Sequence, residues 1–384
     1  MASSISTRAI VCRKPLGDDG GGWQMETVRL REIEDDELVV RIIASGICHT
    51  DVTFGSLPVG TPFTHYPSVK GHEGSGYVER VGPKVTVAQP GDPVLLSFTF
   101  CKTCAICEAG HPAHCVELTP MNFLGYDAFF SDDNTGQTPD LRGGFFSQSS
   151  FANWTIVKQQ SVVNVKGKVS DDDLRILAPL GCGVQTGSAS IVNLTRPGPN
   201  DSVLVLGLGG VGLSAIMGAK LQGCTTIIGV DRVDLRLRVA KELGATHTIN
   251  TSAMDDLDEL VKQVQGLTGG YGAAVTIEAT GAMPIIRKGL AMTRFAGKYV
   301  QVGVAPFGEE MSFEVFPNMT SGRQIIGTVE GDAIPSEFVP KMVEWFKGGK
   351  FPVEKLVRFY KAEEWHDAVR DMELGETIKA VITW

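Results

Sequence analysis

From Asp201 onward the chain alternates in a way that few folds accommodate. Val203-Leu204-Val205-Leu206 is an unbroken apolar run, short enough to be a fully buried strand. Gly207-Leu208-Gly209-Gly210-Val211-Gly212 follows and opens a helical pattern running towards Gln222. Ile227 to Val230 reads as the next strand, with Asp231 at its end. Strand-type and helix-type stretches then alternate: Thr246 to Ile249, Leu257 to Leu267, Ala274 to Glu278, Pro284 to Arg294, Lys298 to Val302. This alternation predicts βαβ units, and therefore an α/β chain with a doubly wound parallel sheet of the Rossmann type.

The glycines fit G-x-G-x-x-G. Gly207 permits a tight turn, Gly209 lets backbone approach a pyrophosphate, and Gly212 brings helix close to strand, with Gly210 and Val211 completing the turn. The motif follows a strand, opens a helix and has an acid about 20 residues on, the context that gives it meaning. Asp231 is expected to accept hydrogen bonds from the adenosine ribose and to repel a 2′-phosphate. NAD is therefore expected over NADP, with neighbouring Arg232 weighing the other way.

The upstream half reads differently. Short β-rich runs such as Arg8 to Cys12 and Leu38 to Ile43, with a turn over Gly17 to Gly22, continue with Gly and Pro punctuation to about Val165. A small all-β or α+β domain is expected there. Inside it, Cys101, Cys104, Cys107 and Cys115 are spaced so that one loop wraps four sulfurs around a tetrahedral ion. Four thiolates leave no open position, so this zinc site is expected to be structural. The last fifty residues carry a helix around Glu337 to Gly348 and a strand-like Lys379 to Trp384, whose partner the pattern leaves open.

A length of 384 residues favours two domains at roughly 150 residues each. The net charge of -9 is spread without long like-charge runs, which argues against nucleic acid and acidic membrane surfaces as partners. No apolar run is long enough to span a bilayer and the start lacks a signal-peptide core, so a cytoplasmic protein is expected. In that compartment the 8 cysteines are better read as thiolates and metal ligands than as disulfides.

Cys48, His72 and Cys182 are isolated in sequence, and no local spacing shows that they share a metal. Their surroundings are Gly46-Ile47-Cys48-His49-Thr50-Asp51, Gly71-His72-Glu73-Gly74-Ser75-Gly76 and Gly181-Cys182-Gly183. Together with the four-cysteine loop and the glycine turn, in this order, they resemble a zinc-dependent alcohol dehydrogenase of the medium-chain dehydrogenase/reductase family. The similarity runs nearly end to end, from Ala9-Ile10-Val11-Cys12-Arg13-Lys14-Pro15-Leu16 to the terminal strand.

The resemblance implies a GroES-like β-rich catalytic domain over 1–184 and 330–384 and a dinucleotide-binding domain over 185–329. It implies that Cys48, His72 and Cys182 hold a catalytic zinc with an open position for water or substrate oxygen, making two zinc ions per chain. Glu73 would lie behind the metal, Asp51 would orient the His72 ring, and Thr50 would relay the proton released from an alcohol. Thr186 would lie against the nicotinamide, His49 and Lys379 near the pyrophosphate, and Arg236 near the adenosine ribose. The backbone around Val302 and Val304 would meet the carboxamide and the substrate pocket.

Three features bear on the substrate. Many relatives have a histidine three residues after the relay hydroxyl; here it is Thr53, and members resembling benzyl-alcohol dehydrogenases also tend to lack that histidine. The stretch Val116 to Leu141 lacks Lys and Arg, which disfavours glutathione–formaldehyde adducts. Phe145 and Phe146 match positions lining the alcohol pocket, which suits an aromatic or allylic primary alcohol. The expectation is interconversion of such an alcohol and its aldehyde; the alternative is an NAD(P)H-dependent reductase of a conjugated carbonyl. The loop Val116 to Gly144 accompanies dimers in the family, so a homodimer is expected.

Overall fold

The computed structural model describes residues 5–17, 22–131 and 138–384. Most of the turn expected over Gly17 to Gly22 lies outside the described residues. The chain divides into two compact units. One comprises Met1–Cys182, Ile334–Gly349 and Leu356–Trp384; the other comprises Gly183–Ala333 and Lys350–Lys355.

The second unit is built on a six-stranded parallel sheet. Its order is His247–Asn250, Thr226–Asp231, Ser202–Leu206, Ala273–Glu278, Thr293–Gln301, Gln324–Gly327. The chain starts in the middle and winds outward in both directions, so the order reverses beside Ser202–Leu206, where such sheets open a crevice at their carboxyl ends. Leu204, Leu206, Ile228 and Val230 pack with Ile249, Leu260 and Val264 in one apolar cluster. One boundary differs from the sequence pattern. The expected helix to Arg294 ends at Gly289, and the following strand begins at Thr293 rather than Lys298. Ala273 pairs with Thr293 but Val275 with Lys298, so the intervening residues bulge, with Ala296 at positive φ.

The first unit holds two β systems. Ser6–Cys12, Trp23–Leu30, Tyr126–Ser131, Leu141–Gly143 and Ser68–Val69 close into a barrel. The stretch Val116 to Gly144 is therefore not a plain loop: Tyr126–Ser131 pairs with Trp23–Leu30 and carries buried Ala128 and Phe129 into the core. In the other sheet, Glu37–Gly46 lies between Glu73–Val81 and the terminal strand Lys379–Thr383, both antiparallel to it, and also pairs with Trp154–Lys158. The C-terminal segment thus completes this sheet.

The register of that sheet sets the chemistry. Gly46 lies opposite Glu73 on one side and opposite Val381 on the other. Cys48, His72 and Lys379, each within two residues of those positions, consequently emerge at the same end of the sheet.

At the start of the same central strand, Glu37 is fully buried. Its oxygens accept from Arg31 Nη1 and Nη2 at 2.7 and 2.8 Å and from the Glu34 N–H at 2.8 Å, with Lys158 Nζ 3.0 Å away. Burial pushes this carboxyl up, but the Arg31 hydrogen bonds, the Glu34 N–H and Lys158 outweigh it and hold the group below its ordinary value. A depressed carboxylate contributes stability above its unfolded pKa and loses it as pH falls through the folded one. Glu37→Gln is expected to cost on the order of 2–3 kcal/mol at neutral pH. In urea unfolding, the gap to the unsubstituted protein should close below about pH 4.

Candidate active site

The ligand atoms of Cys48, His72, Glu73 and Cys182 all lie within 4.8 Å of one another. Cys48 caps the helix His49–Ser56, where the central strand ends, and Cys182 follows the turn Ala178–Gly181. The Ser97 hydroxyl donates to the Gly181 carbonyl at 2.6 Å, and a side chain at Gly181 would collide with the Leu96 carbonyl, so the approach to Cys182 is tightly set.

Asp51 ties the cluster together. Its Oδ2 accepts from the Cys48 N–H at 3.0 Å, and its Oδ1 accepts from the Gly71 N–H at 2.9 Å. The same Oδ1 lies 2.9 Å from His72 Nδ1. A proton on Nδ1 pointing at Asp51 leaves Nε2 with its lone pair outward, the tautomer a metal needs. Nε2 is buried with no hydrogen-bond partner among the described residues.

The electrostatics fit a cation. The neighbouring Cys182 thiol lowers the Cys48 pKa well below the usual thiol range despite burial, helped by Lys379 and His72. Burial disfavours a charged His72, but Asp51 more than reverses this and raises it. A bound metal competes with the proton that a raised His72 takes up, so affinity is expected to fall with acid. Two sulfurs and an imidazole are a donor set suited to zinc.

Around the cluster, Lys379 Nζ donates to Glu73 Oε1 at 2.8 Å and to the Ile47 carbonyl at 3.2 Å. Burial raises the Glu73 carboxyl, against the pull of Lys379. Gly46 is required beside them: an added Cβ would sit 2.0 Å from Glu73 Oε2. Thr50 Oγ1 is 3.6 Å from Cys48 Sγ, while His49 and Thr53 are exposed.

Phe146 stacks on the His72 ring with centroids 4.3 Å apart, and Phe145 meets its edge at 5.5 Å. Both phenylalanines are buried in a cluster with Phe54, Phe98 and Ala113. Gln148 was not singled out from the sequence. It is fully buried, its Nε2 donating to the carbonyls of His72 and Ser97 and its Oε1 accepting from the Gly74 N–H. A glutamine distant in sequence, with no motif around it, carries no signal of this role.

The sulfurs of Cys101, Cys104, Cys107 and Cys115 form a second cluster within 4.8 Å. Backbone N–H groups point at them: Cys104 N to Cys101 Sγ at 3.3 Å, Cys107 N to Cys104 Sγ at 3.5 Å, and Cys101 N to Cys115 Sγ at 3.4 Å. The Thr103 and Cys104 N–H groups pull the Cys101 thiol down to about 6. Cys12 and Cys224 lie outside both clusters, and burial pushes their thiols up to about 12 and about 11.

In the second unit, Gly207 has φ +88° and an added Cβ on Gly212 would sit 1.8 Å from the Gly207 carbonyl oxygen. An added Cβ on Gly209 would meet nothing within 4 Å, so the turn is open where the motif calls for a pyrophosphate. Gly210 and Val211 begin the helix Gly210–Leu221. Asp231 ends its strand and accepts from the Leu208 N–H at 2.7 Å and from the N–H groups of Arg232 and Val233, with Arg236 Nη1 3.8 Å away. Val302 donates its N–H to the Glu278 carbonyl, and Val304 is exposed. Thr186 lies in the buried helix Gly183–Ala189, its hydroxyl on Glu330.

Residues 34–167 match the alcohol dehydrogenase GroES-like domain, and residues 210–348 the zinc-binding dehydrogenase domain. The chain is 36% identical to the geraniol dehydrogenase of Castellaniella defragrans, over 99% of this chain and 98% of that one. It belongs to the zinc-dependent alcohol dehydrogenases of the medium-chain dehydrogenase/reductase family. Among solved structures, the benzyl alcohol dehydrogenase of Acinetobacter calcoaceticus superposes with a TM-score of 0.88 at 36% identity, covering 99% of each chain. The S-(hydroxymethyl)glutathione dehydrogenase of Paracoccus denitrificans is 31% identical over 99% of this chain and all of that one. The GroES-like fold, the Rossmann sheet and oxidoreductase class follow from this membership. No helix among the described residues is long and apolar enough to cross a membrane.

If the four-cysteine loop holds a closed zinc, Cys104→Ser removes folding free energy rather than chemistry. Zinc measured by plasma emission is expected to fall from two ions per chain towards one, with the melting temperature lowered by several degrees. Asp51→Asn is expected to weaken metal retention at the other cluster about 10- to 100-fold while leaving that loop loaded.

Proposed function

We propose that this alcohol dehydrogenase interconverts a primary aromatic or allylic alcohol and its aldehyde, using NAD and two zinc ions per chain. The observation that carries the reading is the largely buried cluster of two cysteine sulfurs and one imidazole, its ring held by Asp51. Bound zinc supplies Lewis acidity that makes an alcohol hydroxyl acidic near neutral pH, and nicotinamide supplies the hydride acceptor. The residues of the chain hold and prepare these groups. Cys48, His72 and Cys182 hold the metal, and Asp51 selects the His72 tautomer. The Thr50 hydroxyl both accepts and donates, so it takes the proton leaving the substrate. With Thr53 in place of a histidine, the proton passes from Thr50 towards solvent without an imidazole. The paired sulfurs favour this over conjugated-carbonyl reduction, for which an open metal position has no evident use.

Phe145 and Phe146 keep water from one side of the His72 ring and present an apolar wall beside the metal, consistent with aryl or allylic substrates. Relatives named for geraniol and benzyl alcohol agree with that class. The Asp231 carboxylate at the end of its strand favours ribose hydroxyls over a 2′-phosphate, with Arg236 alongside. A homodimer is supported by the sheet edge: Gln324–Gly327 is its outermost strand, with Ile325 exposed. Phe316 and Met319 of the preceding helix Val315–Ser321 are exposed too. An uncovered edge flanked by apolar side chains is covered by a second copy of the chain.

Initial rates of NAD and NADP reduction with benzyl, cinnamyl, geranyl and straight-chain alcohols, with and without chelator, test the reading. NAD turnover with aryl and allylic alcohols that chelator abolishes is expected; chelator-resistant turnover or none with any alcohol contradicts it. Thr50→Val is expected to lower kcat about 10²-fold or more with zinc content unchanged. Asp231→Gly is expected to weaken NAD about tenfold and favour NADP relatively. An unchanged cofactor preference would remove its ribose role.

A further inference from the structure

Three consecutive residues after the last strand of the second unit adopt left-handed backbone: Glu330 at φ 52°, Gly331 at 65° and Asp332 at 54°. Two of them carry side chains that disfavour this region, so the surroundings must enforce it. The cause is visible at Gly331, where an added Cβ would lie 2.6 Å from Ala189 Cβ and 2.7 Å from both the Ser190 nitrogen and the Thr186 carbonyl oxygen. The turn is pressed onto the helix Gly183–Ala189, every residue of which is buried. This delivers one carboxylate to that helix. Glu330 Oε2 accepts from Gln185 Nε2 at 3.1 Å and from the Thr186 hydroxyl at 3.2 Å, with all three residues buried.

The location is that of a ligand rather than of a core. Glu330 stands just past the carboxyl end of Gln324–Gly327, on the same edge of the parallel sheet as Gly207, Asp231 and Val302, where such sheets receive their ligands. The helix it grips runs against the glycine turn: an added Cβ on Gly187 would sit 1.9 Å from the Val211 carbonyl oxygen. A buried acid is costly in an apolar interior unless it is paired or serves a ligand.

We propose that Glu330 is a positioning residue for the nicotinamide. Its carboxylate fixes the Thr186 side chain and places a negative charge that favours the oxidised, cationic ring over the reduced, neutral one. This rests on the reading of the second unit as an NAD site. A fixed charge in a poorly screened interior discriminates between two ligands that differ by one positive charge.

The test is equilibrium binding. NADH affinity is read from its fluorescence, and NAD affinity from displacement of NADH, on the zinc-loaded protein. Glu330→Gln keeps the shape and an acceptor for Thr186 while removing the charge. It should raise the ratio of the NAD to the NADH dissociation constant about three- to tenfold. Glu330→Asp keeps the charge and should keep most of the original ratio. Thr186→Val leaves the carboxylate in place, so it should weaken both forms at an unchanged ratio, and it decides the positioning role if Glu330→Gln does not fold. Equal effects of Glu330→Gln on both nucleotides, or a Thr186→Val protein that binds both as before, overturn the proposal while leaving the NAD reading intact. An unsubstituted protein that binds neither nucleotide overturns both.

Discussion

The Asp51 carboxylate joins segments that the sequence keeps twenty residues apart. One oxygen takes the N–H of Cys48, and the other takes the N–H of Gly71 and faces the ring of His72. With the sheet register that sets Gly46 opposite both Glu73 and Val381, this places a sulfur, an imidazole and a buried lysine within one small volume. The rest of the first unit supports that arrangement. Gln148 pins the backbone at His72 and Gly74, the Phe146 ring lies on the His72 face, and Ser97 holds the turn before Cys182.

Charge explains why the arrangement suits a divalent ion. Glu73 and Asp51 are acids withdrawn from water beside the half-buried Cys48 thiol, and Lys379 answers one of them through its 2.8 Å contact with Glu73. Buried charge is tolerated when paired or bound to metal. A cation held by the two sulfurs and His72 Nε2 would balance the remainder and satisfy a buried nitrogen that has no hydrogen-bond partner among the described residues. The four-cysteine loop meets the same need by another route: its sulfurs are stabilised by backbone N–H groups of the loop itself and require nothing from distant segments.

That contrast explains what was legible in the sequence. The loop cysteines and the glycine turn are local motifs, because each functional unit folds within about fifteen residues and the spacing carries the geometry. The six-stranded sheet was legible from alternation, except at Thr293–Gln301, where a bulge with Ala296 at positive φ breaks the period. Cys48, His72 and Cys182 were connected only through resemblance, since sheet register and Asp51 bring them together and neither leaves a local trace. Gln148 and Glu330 left no trace at all: each is one polar residue without a motif, and its importance comes from what long-range packing puts beside it. The terminal strand had the right pattern, but its partner, Glu37–Gly46, is set by tertiary structure.

We propose that the chain holds two zinc ions in chemically different settings, one closed and one open. Zinc X-ray absorption on the purified protein tests this most directly, because sulfur at about 2.3 Å and nitrogen or oxygen near 2.0–2.1 Å are resolved as separate shells. The four-cysteine loop contributes four sulfurs, and the Cys48–His72–Cys182 set contributes two. With both sites filled, an average of about three sulfurs per zinc is expected, the rest being nitrogen and oxygen. An all-sulfur shell with a single zinc per chain would contradict it, since the cluster built around Asp51 would then hold no metal.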